Sequence, residues 1–206
     1  MSQFNRGYNR QSDRRNNYNN KRSNQHTNNL PEGFALYYIA ILCSNEINEK
    51  VSELKQYMQS TYGSRAAQKS PAHLTIVPPF KSEEDFEGNY KSFLEEVNFT
   101  LVPTTVRLND YNHFGEKVLF VDVEKSESLL NIEKETFKAF EEKFPAISFN
   151  TKPEFNPHVT IATRDIPEGK LAEALAYFKE NHPFDAEFTV KELKLMKLQN
   201  NKWQEC

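Results

Sequence analysis

Ala72-His73-Leu74-Thr75-Ile76 and, 85 positions on, Pro157-His158-Val159-Thr160-Ile161 are the stretches that decide how this chain folds. In each, a histidine and a threonine stand two apart in an apolar run. On a strand that spacing sends both polar side chains to one face, and Leu74, Ile76, Val159 and Ile161 to the other. One such histidine is more often a satisfied structural residue than a catalytic one. Two at matching places in two half-chains point to a shared site with two imidazoles and two hydroxyls.

The order of elements around the two strings repeats. Phe34 to Leu42 is a nearly continuous apolar run, the pattern of a strand covered on both faces. Ser44 then starts a helix with Ile47, Val51, Leu54 and Met58 on one stripe, closed by Gly63. The first motif strand runs from His73 to Val77, where Pro78-Pro79 is expected to end it. Ser82 with Asp85 resembles a helix-starting capping box, followed by Phe86, Tyr90, Phe93 and Val97 at helical spacing and a strand from about Phe99 to Leu108. In the second half, a strand over Lys117 to Val123 leads to Ser126 or Ser128 as N-cap. Leu129, Ile132, Phe137, Phe140 and Phe144 then form a helical stripe ended by Pro145. The motif strand Val159 to Ala162 follows, then a helix with Leu171, Leu175 and Phe178, and a strand region from Phe184 to Leu198. This predicts an α+β fold of two pseudo-symmetric α/β lobes, with antiparallel sheets around a central cleft. The lobes are expected over roughly 31–110 and 111–206, with strands able to exchange between them.

Residues 1–30 have a different character. They carry five Arg, one Lys and one Asp, a net charge of +5, so the remainder holds −8 of the chain's overall −3. With nine Asn and three Gln, this stretch has too little apolar surface to offset the entropy of ordering, and it reads as a disordered tail. Its Arg6-Gly7-Tyr8 and Arg14-Arg15 elements, with Tyr18, suit phosphate and stacking contacts with single-stranded nucleic acid; a solubilising polar extension is the plainer reading. The acidic remainder argues against broad duplex binding. No apolar stretch approaches a membrane span or a secretory signal, so a cytoplasmic monomer without membrane contact is expected. Cys43 and Cys206 have neither zinc-type spacing nor a disulfide framework around them.

The paired His-apolar-Thr strands, their separation, and Ala72-His73-Leu74-Thr75-Ile76-Val77-Pro78-Pro79-Phe80 closely resemble the two-histidine phosphoesterase superfamily, which includes the bacterial 2′-5′ RNA ligases and RNA cyclic phosphodiesterases. The resemblance covers about residues 33 to 203, and includes His113-Phe114 before Val118-Leu119-Phe120. It implies a two-lobed fold around a water-filled cleft, with His73, Thr75, His158 and Thr160 as the catalytic set. Many relatives place a basic residue soon after the second threonine. Here Arg164 is displaced by one position, which on a strand sends it to the opposite face.

The chemistry also follows from the residues. Opening a 2′,3′-cyclic phosphate requires a base for water and an acid for the departing ribose oxygen, and histidine serves as either near neutrality. Threonine hydroxyls can donate to the non-bridging oxygens without adding a titratable group. No cofactor is called for and no zinc ligand set surrounds either motif; His113 fits a loop edge better than a third ligand. Phe80, Tyr111 and Phe114 are candidate stacking surfaces for a base, and Lys81 and Arg164 candidate phosphate contacts. The expected activity is a metal-independent phosphodiesterase acting on RNA ends or small nucleotides, reversible as a 2′-5′ ligase. The alternative is a non-catalytic protein that binds RNA ends.

Overall fold

The computed structural model describes residues 30–149 and 154–206. The tail, and with it the expected disorder and nucleic-acid contacts of residues 1–29, lies outside the described residues.

Strand β1 (Phe34–Leu42) is followed by α1 (Asn45–Tyr62), β2 (His73–Glu83), α2 (Glu87–Thr100) and β3 (Thr104–Phe114). Then come β4 (Val118–Val123), α3 (Glu127–Lys143), β5 (His158–Thr163), α4 (Lys170–Asn181), β6 (Asp185–Val190), β7 (Lys194–Gln199) and β8 (Lys202–Glu205). The strands form two antiparallel four-stranded sheets, in orders β2-β1-β7-β8 and β5-β4-β3-β6. The last strand of each half has therefore crossed over. β3 pairs with β4 and β6 in the second sheet, and the β7–β8 hairpin pairs with β1 in the first. Pro31–Cys206 is one compact unit.

Local chemistry accounts for most element ends. The Ser44 hydroxyl accepts from the Ile47 amide at the start of α1, and Gly63, at φ 73, closes that helix with its own amide on the Gln59 carbonyl. Ser126, not Ser128, caps α3 by accepting from the Leu129 amide.

Three sequence expectations fail. The Pro78-Pro79 pair does not end β2, which continues to Glu83 through a register shift opposite Tyr37 to Ile39. β2 is the edge strand, so a missing proline amide can fall at an unpaired side or a bulge without breaking the sheet. Ser82 is not a cap: it lies in β2, buried, with its hydroxyl 2.6 Å from that of Tyr90. Phe99 belongs to the end of α2 instead of a strand, and is fully exposed there.

Between the sheets and their helices lies one continuous apolar core. It ties the halves together crosswise, since α1 packs on β5 and α3 packs on β2. Phe140 of α3 sits at ring-centroid distances of 5.0 Å from Phe80, 6.2 Å from Tyr90 and 5.7 Å from Phe93, all from the first half of the chain. Among the described residues no helix is long and apolar enough to cross a membrane.

Candidate active site

Each motif alternates as its sequence demands. Leu74, Ile76, Val159 and Ile161 are buried in the core, while His73, Thr75, His158 and Thr160 are half-buried on the opposite faces of β2 and β5. Those two strands pack against each other. Thr75 and His158 line one cavity of about 560 Å³, together with Phe114, Lys125, Phe155 and Asn156. One residue of each motif, Thr75 and His158, thus reaches this cavity from far apart in the chain.

The histidines are held alike. His73 Nδ1 lies 2.8 Å from the Pro71 carbonyl, and His158 Nδ1 lies 2.8 Å from the Asn156 carbonyl. A carbonyl can only accept, so in each ring the proton sits on Nδ1 and Nε2 is left for chemistry. Each ring also rests on an aromatic from the neighbouring strand. Tyr38 of β1 stacks on His73 at 5.0 Å, and Phe120 of β4 meets His158 at 5.1 Å. Phe114 closes on His158 edge-on at 4.9 Å.

Charge distinguishes the two halves. Enclosure by the protein pulls His73 down to about 4; its Pro71 contact opposes this, and the nearby charges of Lys55 and His158 reinforce it. His158 is also lowered by burial, but the Asn156 carbonyl and the Asp122 carboxylate act the other way. Asp122 stands directly across from His158 in the β4–β5 register and accepts from Asn112 at 3.2 Å.

The turn into the first motif is gripped by its surroundings. Lys55 Nζ donates to the Ser70 carbonyl at 2.8 Å, Asn48 accepts from the Ala72 amide at 2.8 Å, and the Cys43 amide donates to the Ala72 carbonyl at 3.0 Å. Lys55 is only 4 % exposed, and burial draws its ammonium down to about 8. In the acid range it is a fixed positive charge beside His73. Replacing it with Met should therefore ease protonation of His73, moving the acid limb of the pH–rate profile of kcat/KM to higher pH. A purely structural Lys55 would lower the plateau without moving the limb.

The expected substrate contacts divide. Phe114 is at the site, on His158 and in the cavity wall. Phe80 and Tyr111 are core residues: Phe80 packs among Tyr37, Tyr90 and Phe140, and Tyr111 stacks on Phe178 while its hydroxyl donates to the His182 carbonyl. Lys81 shares the sheet face of His73 and Thr75, but stands six residues beyond Thr75, roughly 20 Å along the strand, with its ammonium over the Phe34 ring at 4.6 Å. A bulge in β5 opposite Leu119 and Phe120 leaves Thr163 level with Val118, and Arg164, at φ 69, turns away exposed past the strand end. Lys81 therefore stands apart from the motif residues.

Sequence reading passed over Tyr38, Phe120, Asp122, Lys55 and Lys125. Tyr38 and Phe120 occupy alternate positions of apolar strands, and only the ring contacts of the folded chain put them against the motif histidines. Among the described residues, no group of three or more His, Cys, Asp or Glu side chains is arranged to hold a metal ion.

Comparison with known proteins gives the same architecture. The sequence model of the 2′-5′ RNA ligase superfamily matches residues 44–202. A Bacillus licheniformis protein provisionally named a phosphoesterase is 24 % identical over 135 residues, 65 % of this chain and 76 % of that one. The structure of Escherichia coli LigT complexed with 3′-AMP superposes with a TM-score of 0.61 at 16 % identity, covering 84 % of this chain and 94 % of LigT. The Thermus thermophilus protein TT0787 gives 0.56 at 19 % identity, covering 83 % and 93 %. At those identities the two structures speak for the fold.

Proposed function

The chain belongs to the 2′-5′ RNA ligase superfamily, and from that premise we propose that it is a metal-independent phosphodiesterase acting at RNA ends or on small nucleotides. Its bond is a 2′,3′-cyclic phosphate or a 2′-5′ linkage. The observation that carries this reading is the pair of identically tethered imidazoles, each with Nδ1 on a backbone carbonyl and Nε2 unspent. LigT is known in complex with 3′-AMP, the kind of monoester that such hydrolysis yields.

Acid and base follow from the electrostatics. His73, kept neutral chiefly by burial and further by the charge of Lys55, takes a proton from water through Nε2. The water oxygen forms a bond to phosphorus as the bond to a ribose oxygen breaks. His158, lowered by burial but with the Asn156 carbonyl, the Asp122 carboxylate and the bound phosphate anion acting the other way, protonates the departing oxygen. Thr75 and Thr160 donate to the non-bridging oxygens, where charge gathers. The product is a phosphomonoester, and the two histidines return to their starting states by exchange with solvent. With a ribose 5′-hydroxyl in place of water, attack on the cyclic phosphate forms the new phosphorus–oxygen bond as the 3′ bond of the ring breaks, and leaves a 2′-5′ diester.

The test is turnover of nucleoside 2′,3′-cyclic phosphates and 2′-5′ dinucleotides by the full chain in excess chelator. Conversion to monophosphate is expected. Tight RNA binding without turnover of any phosphodiester would overturn the enzyme reading in favour of an RNA-end binder.

A further inference from the structure

The first sheet has a second apolar cluster on the side away from the main core, and the acid–base chemistry does not use it. Along β1, Tyr37, Ile39 and Ile41 enter the core, while Tyr38 and Ala40 face the other way with Met196, and Leu42 and Trp203 pack partly buried beside them. This is the face that carries His73. Trp203 lies on β8, opposite Leu198, and presents its ring edge-on to Tyr38 at 4.6 Å. Since Tyr38 also stacks on His73 at 5.0 Å, the indole lies within about 10 Å of the imidazole. The Tyr38 hydroxyl is buried between its neighbours without a hydrogen-bond partner among the described residues, so Tyr38 contributes a ring rather than a polar contact.

The indole is anchored. β7 and β8 are joined by a tight turn with Asn200 at φ 49 and Asn201 at φ 62, the left-handed pair that two-residue hairpins require. Lys69, just before the first motif, donates from Nζ to Asn201 Oδ1 at 2.8 Å. Trp203 is therefore fixed to the element that delivers His73, and is half-exposed.

We propose that Trp203 is a nucleobase seat: the base of the nucleotide whose phosphate is held between the two motifs stacks on the exposed part of its indole. This rests on His73 being a phosphate-handling residue. Base–aromatic stacking is tolerant of base identity, so the seat favours nucleosides over baseless sugar phosphates and purines over pyrimidines.

Trp203 is the only tryptophan of the chain, so intrinsic fluorescence reports on it alone. Titrating the full chain with adenosine 2′- or 3′-monophosphate should quench emission saturably, whereas inorganic phosphate should leave it nearly unchanged. In steady-state kinetics, Trp203→Leu should lower the preference for adenosine 2′,3′-cyclic phosphate over ribose 2′,3′-cyclic phosphate about tenfold, and Trp203→Phe should restore most of it. An unaltered preference in Trp203→Leu, with no quench in the wild type, overturns the seat while turnover leaves the phosphodiesterase reading standing. Saturable quench by the nucleotide alone, without turnover of any substrate, supports the seat and removes the enzyme.

Discussion

Replacing His73 or His158 with Ala should each lower kcat for cyclic phosphate hydrolysis by about 10²–10⁴-fold, the usual worth of a positioned acid or base. The double replacement should cost little more than the worse single one, because a concerted proton transfer fails once either partner is lost. Neither variant should unfold. Both imidazoles reach the surface, and the strands beneath them are held by Leu74, Ile76, Val159 and Ile161. The pH profile adds a check on roles. In the wild type, the acid limb of kcat/KM should lie well below the ordinary histidine value near 6.5, because the base is His73, drawn down to about 4. Below that limb His73 is protonated and cannot accept from water. In His158→Ala, the residual rate should keep an acid limb, moved slightly to higher pH because the His158 charge no longer opposes protonation of His73, and lose the dependence on a protonated acid at higher pH.

The largest effect on stability should come from Phe140→Ala. The ring is fully buried and meets Phe80, Tyr90 and Phe93 across the halves, and Phe144 and Phe149 near its own helix. Removing it should cost about 3–5 kcal/mol, a large share of the roughly 5–15 kcal/mol that holds such a domain together. Calorimetry should record a fall in Tm on the order of 10 °C. Phe140→Leu, which keeps most of the volume, should cost far less. Phe80 shares β2 with His73 and Thr75, so the cavity at Phe140 should also loosen the site and lower kcat. A fall in Tm of only a degree or two would mean that α3 does not brace the first motif strand.

The alternation of the two motif strands was legible because its signal is local: five residues fix which side chains share a face. Helices α1, α3 and α4 were legible for the same reason, through stripes such as Ile47, Val51, Leu54 and Met58. What escaped depends on pairing between distant strands. A proline pair ends a central strand but survives on an edge, and the sequence around Pro78 carries no mark of which β2 is. The exchange of β3 and the β7–β8 hairpin between sheets has no local signature either, so the run from Phe184 to Leu198 reads as one strand region when it is two strands, β6 and β7, serving two sheets. Phe80 and Tyr111 look like stacking platforms because they follow motif or strand ends; they are core because their ring faces are filled by aromatics from other elements. Trp203, 130 positions from His73 in sequence, is brought beside it by that hairpin alone.

The account rests on one phosphate being held by both motifs, and a crystal structure of the full chain with adenosine 3′-monophosphate tests this most directly. The expected result is a phosphate with His73 Nε2 and His158 Nε2 both within hydrogen-bond distance of its oxygens, on opposite sides of the phosphorus, and with the hydroxyls of Thr75 and Thr160 on the remaining oxygens. A phosphate bound by one motif alone, or bound away from β2 and β5, would contradict it.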